Sequence, residues 1–111
     1  CNWGDYDNDG WLDLFVANRL GQNNYLYHNN GDGNFTKVLD SIAVNDGGDS
    51  WSSVWGDYDN DGSLDLFVGN FDSTNFLYHN NGNDNHWVEF RLIGESASTK
   101  RFELCPLRAM V

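Results

Sequence analysis

Apolar and polar positions alternate in short bursts along this chain, and the bursts are separated by clusters of Asp, Asn and Gly. Leu12, Leu14 and Val16 interleave with Asp13, Phe15 and Ala17, and Leu64, Leu66 and Val68 repeat the pattern. A period of two in residues that favour extended backbone predicts a strand in each place. Tyr25-Leu26-Tyr27 and Phe76-Leu77-Tyr78 predict two more, each closed by Asn-Asn-Gly, whose residues accept the positive φ of a hairpin turn. Phe35 to Ile42 and Trp87 to Ile93 supply a further strand apiece, and Ser50 to Trp55 leads into the second acidic stretch.

These bursts are two copies of one unit. WGDYDNDGWLDLFVAN at 3–18 recurs as WGDYDNDGSLDLFVGN at 55–70, with 14 of 16 positions identical at an offset of 52. NYLYHNNG at 24–31 recurs as NFLYHNNG at 75–82 at an offset of 51, so one residue is lost between Arg19–Asn23 and Phe71–Thr74, a polar and glycine-containing loop. Four short antiparallel strands in about fifty residues make a β-propeller blade. The expected fold is therefore all-β: about two four-stranded antiparallel blades, the first incomplete because it lacks the strand that should precede Trp3. Rings typically need about four to eight blades. Two blades thus imply a longer parent or assembly with copies of the chain, and the start at Cys1-Asn2-Trp3-Gly4, with neither initiator Met nor signal peptide, suggests a fragment.

The chemistry concentrates in the loop that opens each unit. Asp5, Asp7, Asp9 and Asp13 stand as D-x-D-x-D-G-x-x-D, and Asp57, Asp59, Asp61 and Asp65 repeat the spacing. Carboxylates at alternate positions of a tight loop converge on one centre. Gly10 or Gly62 permits the sharp turn, a carbonyl of Trp11 or Ser63 can add an oxygen, and the last Asp closes the cage from the next strand. An all-oxygen set suits a hard cation, and a need for six or more ligands favours Ca²⁺ over Mg²⁺, giving two expected calcium sites. Four carboxylates about 5 Å apart repel by about 0.8 kcal/mol per pair even at the dielectric of water, or about 5 kcal/mol per loop. Without a cation such a loop should open.

Other readings fit less well. An EF-hand needs a bidentate Glu at loop position 12, where this chain has Val16 or Val68 inside a strand. DNDGSL at 59–64 shares letters with the haloacid-dehalogenase phosphatase motif, but it occurs twice and follows Trp-Gly-Asp-Tyr rather than a buried apolar strand. No nucleophile–base arrangement or phosphate-loop Lys is identifiable, so no catalytic residue is expected. His28 and His79 precede matching Asn-Asn-Gly turns and, with His86, lack zinc-ligand spacing; bonding to the turn backbone is the expectation for the repeated pair. Trp3, Trp55, Tyr6 and Tyr58 are expected to pack between strands and blades. Trp11, whose counterpart is Ser63, is expected to be exposed and able to touch a sugar or a protein. Asp46-Gly47-Gly48-Asp49 reads as a turn into the next blade.

The 111 residues carry 6 Lys plus Arg against 17 Asp plus Glu, a net charge of −11. That balance speaks against nucleic acid or an anionic membrane as partner and for cations. Fourteen of the acids are Asp, and eight of the 17 lie in the two loops, so the acidity is largely two metal cages. No apolar run of about 18 residues exists to span a membrane. Cys1 and Cys105 are equally compatible with a bridge and with free thiols.

Over residues 1–84 the two units, approximately 1–49 and 50–84, resemble FG-GAP/VCBS repeats, the blades of integrin-α-like propellers. The Asn85-His86-Trp87 and Arg91-Leu92-Ile93-Gly94 stretch is similar to the opening of the ASPIC/UnbV module, which follows such repeats in cartilage-acidic-protein-like and many bacterial secreted proteins. The tail of 85–111 diverges from that module after Gly94. The resemblance implies calcium held in the D-x-D-x-D-G-x-x-D loops, a secreted or cell-surface location (periplasmic in a bacterium), and a non-enzymatic scaffold or adhesion role. Its partners would be calcium, the remaining blades of the parent, and an extracellular protein or glycan. The alternatives are a carbohydrate-recognition propeller with aromatic loop tips, and a hydrolase or lyase with catalytic metal loops.

Overall fold

The computed structural model describes residues 1–85 and the backbone of two further short strands, at 92–94 and 102–104. All regular structure among these residues is β. The first sheet is an antiparallel meander of β1 (Asn2–Gly4), β2 (Asp13–Val16), β3 (Tyr25–Asn29) and β4 (Phe35–Val38), and the second joins β5 (Ser50–Gly56), β6 (Asp65–Asn70) and β7 (Phe76–Tyr78) in the same way. The register repeats with the sequence: Trp3 pairs with Leu14 and Leu14 with Tyr27, as Trp55 pairs with Leu66 and Leu66 with Tyr78. The two sheets are blades of the β-propeller type.

Two strand expectations shift. The strand that should precede the first acidic loop is shortened rather than absent: β1 has three residues where β5 has seven. The strand expected over Phe35 to Ile42 stops at Val38. Ser41 ends it, its hydroxyl accepting the Ala43 N–H at 3.3 Å and its carbonyl those of Val44 and Asn45 at 3.1 and 3.2 Å. That turn points Ala43 and Val44 into the core and leaves Ile42 outside. Of the strand expected at Trp87 to Ile93, residues 87–91 lie outside the described residues. Leu92–Gly94 (β8) pairs with Phe102–Leu104 (β9) in a separate two-stranded sheet, so the second blade has three strands among the described residues. His86 and Cys105 also lie outside them; Cys1 is exposed and has no disulfide partner among the described residues.

One apolar core lies between the blades. Phe15 and Leu26 from the first meet Leu66 and Val68 from the second, with Ala43 and Val44 closing one side. Trp55 anchors the seam, its ring edge-on to Phe15 at 6.1 Å and stacked on Tyr6 at 6.2 Å. Gly4 is required there, because a Cβ would come within 2.7 Å of the Trp55 ring. Polar contacts reinforce the seam: Asn2 Nδ2 donates to the Ser53 carbonyl at 3.0 Å, and Tyr78 Oη to Asp46 Oδ2 at 3.1 Å. The deleted residue falls in the loop after β2, where Leu20 and Gly21 in the longer version and Asp72 in the shorter one take positive φ.

Candidate metal centre

Each blade presents its acidic loop between its first two strands, and the loop folds around its own carboxylates. Asp5 accepts the N–H groups of Asp9 and Gly10, one on each oxygen, at 3.0 and 2.9 Å. Asp57 does the same for Asp61 and Gly62 at 3.1 and 3.0 Å. Asp9 accepts the Trp11 N–H and Asp61 the Ser63 N–H, both at 2.8 Å. A chain bent back on a carboxylate this tightly needs left-handed backbone, found at Asn8 and Asn60 (φ 57° and 61°) and at Gly10 and Gly62 (φ 93° and 90°).

The structure brings Asp5, Asp7 and Asp9 together, with one carboxylate oxygen of each within 4.8 Å of the others, and likewise Asp57, Asp59 and Asp61. Asp13 and Asp65 begin the second strands and are fully buried. Asp13 accepts the Tyr6 N–H at 3.2 Å and the Asn29 N–H at 2.8 Å; Asp65 accepts those of Tyr58 and Asn80 at 3.1 and 2.8 Å. Trp11 lies with its indole against Gly31 and about half exposed, whereas Ser63 is buried beside Gly82. The exchange of Trp for Ser thus tracks how far the side chain overhangs the Asn-Asn-Gly turn.

The histidines are the residues the sequence reading misplaced. They turn from the backbone toward the carboxylates: His28 Nδ1 lies 3.2 Å from Asp7 and 3.3 Å from Asp13, and His79 Nδ1 lies 3.1 Å from Asp65 and 3.5 Å from Asp59. Each forms a second three-residue group with its two aspartates. Continuing the strand register by one step sets His28 opposite Asp13 and His79 opposite Asp65. The available signal was that each histidine recurs at the same place after the last loop Asp, once the lost residue is allowed for.

Hydrogen bonds tie the first loop to the second blade. Asn80 Nδ2 donates to the Tyr6 carbonyl at 2.6 Å, Asn83 and Asn85 donate to the Asp7 carbonyl at 2.6 and 2.7 Å, and Asn8 Nδ2 reaches the Gly62 carbonyl of the other loop at 3.1 Å. Tyr6 is correspondingly sheltered, and burial, followed by the charges of Asp7, Asp13 and Asp9, pushes its pKa up to about 12.

Burial, with Asp9 next in weight, raises the pKa of Asp7; burial is also the largest cause raising Asp13, against the pull of its two amide hydrogen bonds. A carboxyl raised in the folded state binds its proton more tightly there than in the unfolded chain. It contributes stability below the unfolded pKa and loses it as pH rises through the folded one. Asp32, lowered by its own turn, works in the opposite sense from a fully exposed position. In chelator, the melting temperature should therefore rise as pH is lowered from 7 toward the ordinary carboxylate value of 3.8. Thermal melts in EDTA across that window check this, and a midpoint that falls steadily on acidification would contradict it.

In the first loop, the raised pKa of Asp7 and Asp13 reflects burial and the repulsion of neighbouring carboxylates, surroundings in which a positive charge would be favourable. The sharpest sign is Asp7 Oδ1, which is buried and has no hydrogen-bond partner. A buried anionic oxygen left unpaired is expensive, and the clusters around it could hold a metal ion. The donors are mainly carboxylate oxygens, with one imidazole at the margin, a set suited to a hard cation.

Residues 5–68 match the FG-GAP-like repeat. Cartilage acidic protein 1 of Xenopus tropicalis is 31% identical over 110 residues, which cover 97% of this chain and 16% of that protein. The chain thus spans about a sixth of the length of the curated relative it matches. No solved structure matches it.

Proposed function

The chain belongs to the FG-GAP-like repeat family, and from that premise we propose that it is a calcium-stabilised, non-enzymatic propeller segment of a secreted or cell-surface protein, serving as a scaffold for adhesion. The observation that carries the calcium reading is the unpartnered, buried Asp7 Oδ1 amid converging carboxylates. Asp5, Asp7, Asp9 and Asp13 would hold one ion and Asp57, Asp59, Asp61 and Asp65 the other. Bound calcium supplies positive charge that cancels the repulsion of the loop. The chain's own amides do the rest, since N–H groups from Asp9, Gly10 and Asn29 fix the carboxylates in place beforehand.

An extracellular location fits the affinity usual for such calcium modules. Extracellular calcium modules commonly bind at about 10⁻⁴–10⁻³ M, a range filled by the calcium outside cells and left empty by the cytosol. The relative's printed name, a cartilage protein, agrees with that setting. At calcium about one hundred times the dissociation constant, each site would add about 2.7 kcal/mol of stability.

Calorimetric titration of the chain with calcium tests the proposal. Two equivalents should bind, and Asp7→Ala and Asp59→Ala should each remove one while leaving the other. A folded wild-type chain that takes up no calcium would falsify the reading.

A further inference from the structure

The first acidic loop is capped by a ring nitrogen that pairs with nothing. His28 Nδ1 is buried and has no hydrogen-bond partner among the described residues, although it lies 3.2 Å from Asp7 Oδ2 and 3.3 Å from Asp13 Oδ1. Both oxygens are near enough but off the line that a ring N–H would take, so a protonated imidazole is not what this geometry serves. A neutral ring turning its lone pair toward two carboxylate oxygens is repelled by them unless a cation stands between all three. Asp7 Oδ1, on the neighbouring side chain, is buried and unpartnered as well.

The spacing suits a small cation. Ligands about 2.1 Å from a metal, at the angles of an octahedron or a tetrahedron, stand about 3.0–3.4 Å apart, and the two His28 contacts of 3.2 and 3.3 Å fall within that range. The other side of the ring agrees. His28 Nε2 faces Asp9 Oδ2 at 3.9 Å, and a metal-bound imidazole commonly directs its second N–H to a carboxylate.

The second blade departs from this arrangement. His79 Nδ1 is hydrogen-bonded to Asp65 Oδ1 at 3.1 Å and lies farther, 3.5 Å, from Asp59. Its surroundings are also more open, since the Asp59 side chain is 35% exposed against 20% for Asp7.

We propose that the first loop is a mixed nitrogen–oxygen centre, in which His28 Nδ1 joins Asp7 and Asp13 to hold a first-row transition-metal dication, whereas the second loop takes calcium. The imidazole decides the preference, because nitrogen suits the borderline metals while Ca²⁺ takes oxygen. The proposal rests on the reading of both loops as cation sites. Calcium at the first loop would use Asp7 and Asp13 too, so the two cations compete there.

Calorimetric titrations of the 111-residue chain with Co²⁺ alone and with Ca²⁺ alone test it, the thiols of Cys1 and Cys105 being alkylated first so that sulfur does not compete. The wild type should take up one equivalent of Co²⁺ tightly, and that equivalent should reduce later Ca²⁺ uptake from two to one. His28→Ala should weaken the Co²⁺ site at least about tenfold, the least loss usual for a residue that even supports a metal ligand, and still bind two Ca²⁺. His79→Ala should leave the Co²⁺ site in place. His28→Gln, which offers an amide oxygen and no ring nitrogen, replaces His28→Ala should the latter lose its β-sheet circular dichroism. A wild type that binds Ca²⁺ but no Co²⁺, a Co²⁺ affinity that ignores His28, or equal losses from both histidine variants overturns the proposal. Tight Co²⁺ uptake that depends on His28 in a chain that takes up no Ca²⁺ upholds this centre and overturns the calcium reading alone.

Discussion

Asp13→Ala should destabilise the chain by about 2–4 kcal/mol in the absence of any metal, a larger loss than the removal of Asp5, Asp7 or Asp9 produces. Asp13 is fully buried, and its two oxygens accept the N–H groups of Tyr6 and Asn29. One residue thereby pins the start of the acidic loop, the head of β2 and the hairpin turn after β3. Alanine strands both amides, and each buried group left unsatisfied costs about 1–3 kcal/mol. Part of that is offset because a desolvated charge also disappears, which places the expectation below the sum of the two. Asp9 makes the contrast: it accepts only the Trp11 N–H, in exposed surroundings, so Asp9→Ala should change metal-free stability by less than about 0.5 kcal/mol. Urea denaturation in EDTA separates the two. Equal midpoints for wild type and Asp13→Ala would show that Asp13 serves only the cation.

Asn24→Leu is expected to cost a similar amount, about 2–4 kcal/mol, at a position far from the acidic loops in its role. Asn24 is fully buried. Its carbonyl accepts the Asn18 N–H at 2.9 Å, and its amide donates to the Ala43 carbonyl at 3.1 Å and to Asp46 Oδ2 at 3.0 Å. Asp46 in turn holds the Tyr78 hydroxyl of the second blade, so the network crosses the seam. Leucine fills the space yet leaves a donor and two acceptors without their partner. Asn75, the counterpart in the second blade, makes the same bond to the Asn70 N–H but is exposed, and water can replace it. Asn75→Leu should therefore lose less than about 1 kcal/mol. Thermal melts of the two variants side by side check the difference, and comparable losses would mean that burial is not what makes Asn24 matter.

The elements that could be read from the residues are those where local and long-range preferences agree. β2 and β6 alternate cleanly, the Asn-Asn-Gly turns fix the hairpin ends, and the loop spacing needs no tertiary information to make Asp5, Asp7 and Asp9 converge. The rest depended on partners distant in sequence. Ala43 and Val44 continue the apolar run after Val38, and only the hydrogen bonds of Ser41 turn them from strand into a core-filling corner. Phe15 and Phe67 sit in identical sequence contexts, yet one is buried and the other is not, because the blade that covers the first follows it in the chain. The positions of His28 and His79 needed the strand register, which places them beside Asp13 and Asp65.

The hydrogen bond from Asn8 to the Gly62 carbonyl has a thermodynamic meaning as well as a structural one. It joins the tips of the two acidic loops directly, each tip held in left-handed backbone. Segments coupled in this way share the conformational entropy lost when either becomes rigid. An ion fixing the first loop would also restrain Gly62, leaving the second with fewer arrangements to surrender to an ion of its own. Ions bound as proposed would then fill the two loops as a linked pair, and the affinity of each would report on the occupancy of the other.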